Sequence, residues 1–234
     1  MAKSIGFSRF VRIEWLDKTV ELVLSGKSNK EISNELLSYL SLEINDKTNL
    51  LKTRNILMNI WVTPQENTMK IKELALNEFS FQSNERLVLH WCMCLLAYPV
   101  FRDIAQIIGR SYLLQESFNV KSIKMKLFDL WGERSTLFFS LSKILQTMKY
   151  LNIIENIETG VYKPIERTIT KNEYVLIILL TILSLNRGTN YELYELQEST
   201  FFFAFKYNPS YEVVENCKLL AFDYYDGKRI IVLK

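Results

Sequence analysis

The only histidine of the chain, His90, lies in the run HWCMC with Cys92 and Cys94, and the distant Cys217 brings the number of zinc-ligand side chains to four. Ligation needs those side chains to converge. Residues two apart on an α-helix point about 200° from each other, and this apolar stretch reads as helix, so His90, Cys92 and Cys94 cannot meet at one ion and are expected in the core. A single histidine inside an apolar segment also gives Ser-His and Cys-His nucleophile systems little to work with. The glycines nowhere form G-x-x-x-x-G-K-[ST], and scattered acidic pairs such as Glu14 and Asp17 read as solvated helix faces. The expectation is a protein that is not an enzyme and holds no metal and no cofactor.

A different chemistry is available between Asn119 and Leu151. Lys121, Lys124, Lys126, Arg134, Lys143 and Lys149 face only Asp129 and Glu133 there, which leaves +4 on this stretch; the whole chain carries +3, so the remainder carries −1. A local basic excess attracts phosphate in a salt-dependent, sequence-independent way. Within it, Leu137, Phe138, Leu141, Ile144, Leu145, Met148 and Leu151 repeat with a helical period and define an apolar face. The opposite face, Thr136, Ser140, Lys143, Thr147 and Tyr150, with Arg134 and Ser135 at the helix start, offers donors suited to phosphates and base edges. The residues expected to touch DNA are Lys121, Lys124, Lys126, Arg134, Ser135, Thr136, Ser140 and Lys143.

Such residues need a frame. Upstream, "ESFNVKSIKMKLFDLWG" predicts a short helix with Ile123, Leu127 and Leu130 inward, and Gly132 sits in a tight turn before the longer helix, the plan of a helix-turn-helix. Downstream, "NIIENIETGVYKP" carries two β-prone pieces around Thr159-Gly160 that pair as a wing. Glu155 and Glu158 on that wing repel phosphate, and Phe139 on the helix flank suits a protein contact, so a protein-docking role stands beside DNA binding.

Around this unit the chain reads as helical. Only 7 Gly and 4 Pro occur in 234 residues, with 48% hydrophobic and 24% charged side chains. Helices are predicted over Arg12 to Leu24, after a capping box at Ser28 and Glu31, from Asp46 or Thr48 with Leu50, Leu51, Ile56, Leu57 and Ile60 as the buried stripe, in three segments between Pro64 and Leu114, around Tyr174 to Leu185, and near Tyr191 to Leu196. "STFFFAFKY" reads as strand, and Asp226-Gly227 between two apolar runs signals a β-hairpin. The fold class expected is mainly α: a helical bundle over 1–115, a winged helix-turn-helix over 116–166, and C-terminal helices with a small β-hairpin over 167–234. Three cysteines without framework spacing, and no apolar run near the length of about 20 residues that spans a membrane, set cytoplasm as the expected location.

The succession "VELVLSGKSNKEISNEL", "NLLKTRNILMNIW" and "LAYPVFRDIAQIIGRSYLLQESFNVKSIKMKLFDLWGERSTLFFSLSKILQTMKYLNII", with short matches such as "YPVFRD" and "WGERST", resembles BrxA and its relatives, encoded in bacterial BREX phage-resistance clusters. The resemblance covers about the first two-thirds of the chain. It implies a helical, partly NusB-like fold with a winged helix, binding of double-stranded DNA without catalysis, and work beside a methyltransferase and ATPase partners. A protein-protein scaffold using the same unit for docking, and a transcription regulator, are the alternative roles.

Overall fold

In the computed structural model, residues 5–186, 189 and 191–234 are described. Local capping sets the first helices: α1 (Ile13–Leu24), α2 (Asn29–Leu40) behind the reciprocal Ser28–Glu31 capping box, and α3 (Lys47–Leu57), whose N-cap Asp46 accepts a hydrogen bond from Asn49 N at 2.7 Å. On α3 the buried side chains are Thr53, Ile56 and Leu57, while Leu51 is exposed, contrary to the expected stripe. The helix then widens into a π-type turn at Met58–Val62 that buries Ile60 and Trp61. A 3₁₀ turn (Glu66–Thr68) leads into α4 (Met69–Asn77), followed by α5 (Leu87–Ala97) and α6 (Pro99–Tyr112). Every α5 residue from Leu87 to Leu96 is buried, so this helix is the axis around which the others pack.

Next come β1 (Phe118–Asn119), α7 (Val120–Trp131), α8 (Ser135–Tyr150), β2 (Ile154–Glu158) and β3 (Val161–Pro164). The three strands form one antiparallel sheet in the order β1-β3-β2, with Phe118 opposite Tyr162 and Asn156 opposite the same residue from the other side. Gly132 ends α7 at φ +76°, a conformation that glycine adopts without Cβ strain and that lets α8 start three residues later. Leu130, expected inward, is exposed; Trp131 takes that place, its indole donating to Asp103 Oδ2 at 2.9 Å.

The remainder holds β4 (Arg167–Ile169), α9 (Asn172–Leu185), α10 (Leu193–Gln197), a 3₁₀ turn (Thr200–Phe202), β5 (Phe205–Tyr207), α11 (Tyr211–Glu215), β6 (Leu220–Tyr225) and β7 (Lys228–Leu233). Glu85 fastens the start of α9, accepting from Thr170 N at 2.9 Å and Lys171 N at 3.2 Å. β4 pairs with β5 in parallel, and β6 pairs with β7 in antiparallel register across Asp226-Gly227. The stretch expected as one strand, residues 199–207, is thus strand only at Phe205–Tyr207 and begins as the 3₁₀ turn Thr200–Phe202. It crosses α6 at Gly109, where a Cβ would overlap the Thr200 carbonyl oxygen and lie 2.8 Å from its carbonyl carbon, and Trp91 Nε1 donates to Phe201 O at 2.9 Å. Phe201, Phe202, Phe205 and Tyr207 are buried, and one core runs from Phe7 through α5 to Ile231. The chain is mainly helical, with small sheets. Among the described residues no single helix is long and apolar enough to cross a membrane.

Candidate nucleic-acid interface

The irregular segment from Phe7 to Val11, bent at Arg9, lies along one flank of α8. Ser140 Oγ donates to Phe7 O at 2.7 Å, Val11 N donates to Thr147 Oγ1 at 3.0 Å, and Tyr150 meets Phe10 with ring centroids 5.1 Å apart. Lys143 extends over Phe10, 5.5 Å from the ring centroid, and is half-buried. The flank made of Ser140, Lys143 and Thr147 is therefore not the outward face that its polarity implied. Ser140 and Thr147 are buried, and each hydroxyl satisfies a backbone group of the 7–11 segment. This removes Ser140 from the residues that can touch DNA and gives Lys143 a packing role.

The outward face of α8 is turned from that expectation by part of a helical turn. Ser135, Phe139, Ser142 and Lys149 are exposed and Gln146 is half-exposed, a stripe at spacings of three and four residues. Thr136 and Phe138 flank it, both exposed. Phe138, expected on the buried face, is 42% exposed, and Phe139 is 64% exposed. Sequence reasoning missed Phe139 as a central residue of this face, missed Ser142 and Gln146, and counted Lys149 in the basic excess without placing it among the contact residues; an apolar arc centred on Ile144 rather than on Leu141 would have found them.

Arg134 is placed at the turn. Its guanidinium donates to Trp131 O at 3.1 Å, tying down the last carbonyl of α7, and its buried Nε has no hydrogen-bond partner among the described residues. Ser135 and Thr136 stand exposed beside it at the start of α8. On α7, Lys121 and Lys126 are exposed, Lys126 donating to Ser111 Oγ at 3.1 Å, and Lys124 stacks its ammonium over Phe128 and Phe138 at 5.1 and 4.8 Å. Among the described residues none of these three lysines, nor Lys149, forms an ion pair. At the far end Lys149 reaches over Tyr162 of β3, 5.9 Å from the ring. Glu155, which repels phosphate, is paired with Lys163 at 3.0 Å, so part of the acidic character of β2 is offset within the sheet.

The other sequence candidate resolves into packing. His90 accepts from Trp61 Nε1 at its Nδ1 (3.0 Å), which places its own proton on Nε2, 2.9 Å from Asp17 Oδ1. Burial holds the imidazole below its usual pKa. Asp17 is half-buried rather than solvated: burial raises its carboxyl, and hydrogen bonds from His90 and Arg86 more than offset this, leaving it below the usual range. Burial pushes the Cys92 thiol up to about 12 and the Cys94 thiol higher still, so neither thiolate forms near neutrality. Among the described residues no three His, Cys, Asp or Glu side chains are grouped to hold a metal ion.

No protein-family model matches the chain, no curated protein matches it, and no solved structure matches it.

Proposed function

We propose that residues 99–164 form a winged helix that binds duplex DNA, with α8 as the reading helix and the β2–β3 turn as the wing. The observation that carries this is the arrangement itself: α6, β1, α7, α8, β2 and β3 in that order, a β1-β3-β2 sheet, and lysines on α7 and at the end of α8 that form no ion pair among the described residues, beside an outward polar stripe. In this frame Lys121, Lys126 and Lys149 meet phosphates, as Lys124 does from its aromatic seat, and Ser135, Thr136, Ser142 and Gln146 meet sugar, phosphate or base edges. The protein binds rather than catalyses, and it acts as an accessory of a BREX-type phage-defence system beside a methyltransferase and an ATPase; that part rests on the resemblance of its first two-thirds to BrxA.

A docking role for the same unit has its own support. Met125, Leu130, Phe138 and Phe139 are all exposed around the α7–α8 junction, an apolar set that a protein partner would cover. A salt titration of binding to a duplex of arbitrary sequence separates the two. The DNA reading expects measurable affinity at about 50 mM salt and a linear fall of log K with log salt, at about 0.9 per phosphate contact. No binding at low salt rejects it and leaves the docking role.

A further inference from the structure

Phe139 is the most exposed aromatic side chain of α8, and it sits in the middle of the outward stripe rather than at its border. Its neighbours on that stripe, Ser135, Ser142 and Gln146, are polar and uncharged. A helix lying in a major groove meets four base-edge patterns, and only one of the natural bases presents an apolar group there: thymine, through its C5-methyl. A phenyl ring offers no donor or acceptor to the other edges, and it desolvates them at a cost. Gln146 lies seven residues further along the same face, a rise of about 10.5 Å, close to three base steps, and its amide is of the type that pairs with adenine N6 and N7.

We propose that Phe139 is a specificity-determining residue that reads the C5-methyl group of a pyrimidine in the major groove, giving the protein a preference for thymine-containing sites, with Gln146 reading adenine about three base pairs away. This rests on the DNA-binding reading above and adds to it which bases are chosen. Lys149 and the α7 lysines serve as the contrast, since contacts to phosphate carry no base information.

The test works on duplexes of simple repeating sequence. A duplex of alternating A·T and T·A pairs presents a methyl group in every register, and the same duplex built with uracil presents none. Burying one methyl-sized group is worth about 0.8 kcal/mol, so wild-type protein is expected to bind the thymine duplex about fourfold more tightly than the uracil duplex. An alternating G·C duplex carrying 5-methylcytosine is expected to gain a similar factor over its unmethylated form. Phe139→Ser is expected to abolish both ratios while leaving the salt slope unchanged, and Lys149→Gln is expected to lower the slope while leaving both ratios in place. Melting temperatures of the two variants check that each is folded. Equal affinity of wild type for the methylated and unmethylated duplexes overturns the proposal while DNA binding stands; absence of binding to every duplex at low salt overturns both. Ratios that persist in folded Phe139→Ser overturn the assignment to this residue.

Discussion

His90 is the only histidine, so it is the only side chain whose ordinary pKa lies in the middle of the window between about pH 7 and pH 5. Its folded-state pKa is lowered by burial, against an unfolded value near 6.5. As pH falls below that value the unfolded chain takes up a proton and the native state does not, so the stability that His90 contributes is present above about pH 6.5 and is lost on acidification. The slope reaches at most about 1.4 kcal/mol per pH unit. Urea unfolding across this window is expected to show that slope in the wild type and not in His90→Gln; equal slopes would assign the effect elsewhere. Asp17, also lowered, acts in a separate window, since its contribution is present above about pH 4 and lost below it. The core placement of His90 was legible in the sequence through helix geometry alone. That Asp17 and Trp61 hold the ring from both sides was not, because those partners are distant in sequence and meet only when α1, the π-type turn and α5 pack together.

At the scale of elements, the helices were the most legible part, since capping boxes and 3.6-residue apolar periods are local signals. The orientation of α8 was not, because buried serine and threonine look the same in sequence as exposed ones. What distinguishes Ser140 and Thr147 is the backbone of Phe7 and Val11, more than 130 residues earlier, whose polar groups they satisfy. Thr147→Val leaves the buried Val11 N–H unpaired and is expected to destabilise the protein by about 1–3 kcal/mol. Its duplex affinity, measured well below the melting temperature, should match that of the wild type. Weaker binding at unchanged stability would return this flank to the interface. Gly109 makes a parallel case. Its need for no side chain comes from the crossing of Thr200, and Gly109→Ala must push α6 and the aromatic segment apart. The expected cost is about 3 kcal/mol or more, at the upper end of overpacking, read as a lowered urea midpoint with changed Trp91 fluorescence as its bond to Phe201 O is strained.

Over the whole molecule, the C-terminal aromatic segment belongs to the same core as the N-terminal helices: Trp91 is surrounded by Phe101, Phe203 and Phe205 at ring distances of 5.1, 5.7 and 5.8 Å. The proposed reading helix is likewise held by residues 7–11, so the orientation of the basic surface is a property of the entire fold. Charge is distributed unevenly over that frame, with +4 between Asn119 and Leu151 and −1 on everything else. Replacing Lys121, Lys124, Lys126 and Lys149 by glutamine takes the chain from +3 to −1. Every lysine–phosphate pair that no longer forms lowers the salt slope by about 0.9, so up to about three to four units should disappear, and binding at 150 mM salt should become undetectable. Stability should change little, because among the described residues none of the four is in an ion pair and exposed substitutions cost less than about 0.5 kcal/mol; Lys124, stacked on two rings, is the one with most to lose. The N-terminal helices offer a matched control. Arg54 is engaged with the Ser33 hydroxyl, and Lys52 is exposed on α3, so Lys52→Gln removes one positive charge from outside the proposed interface. If the slope falls with Lys52→Gln and not with the four lysines, the phosphate-binding surface is on the N-terminal helices and α8 is free to serve as a docking helix.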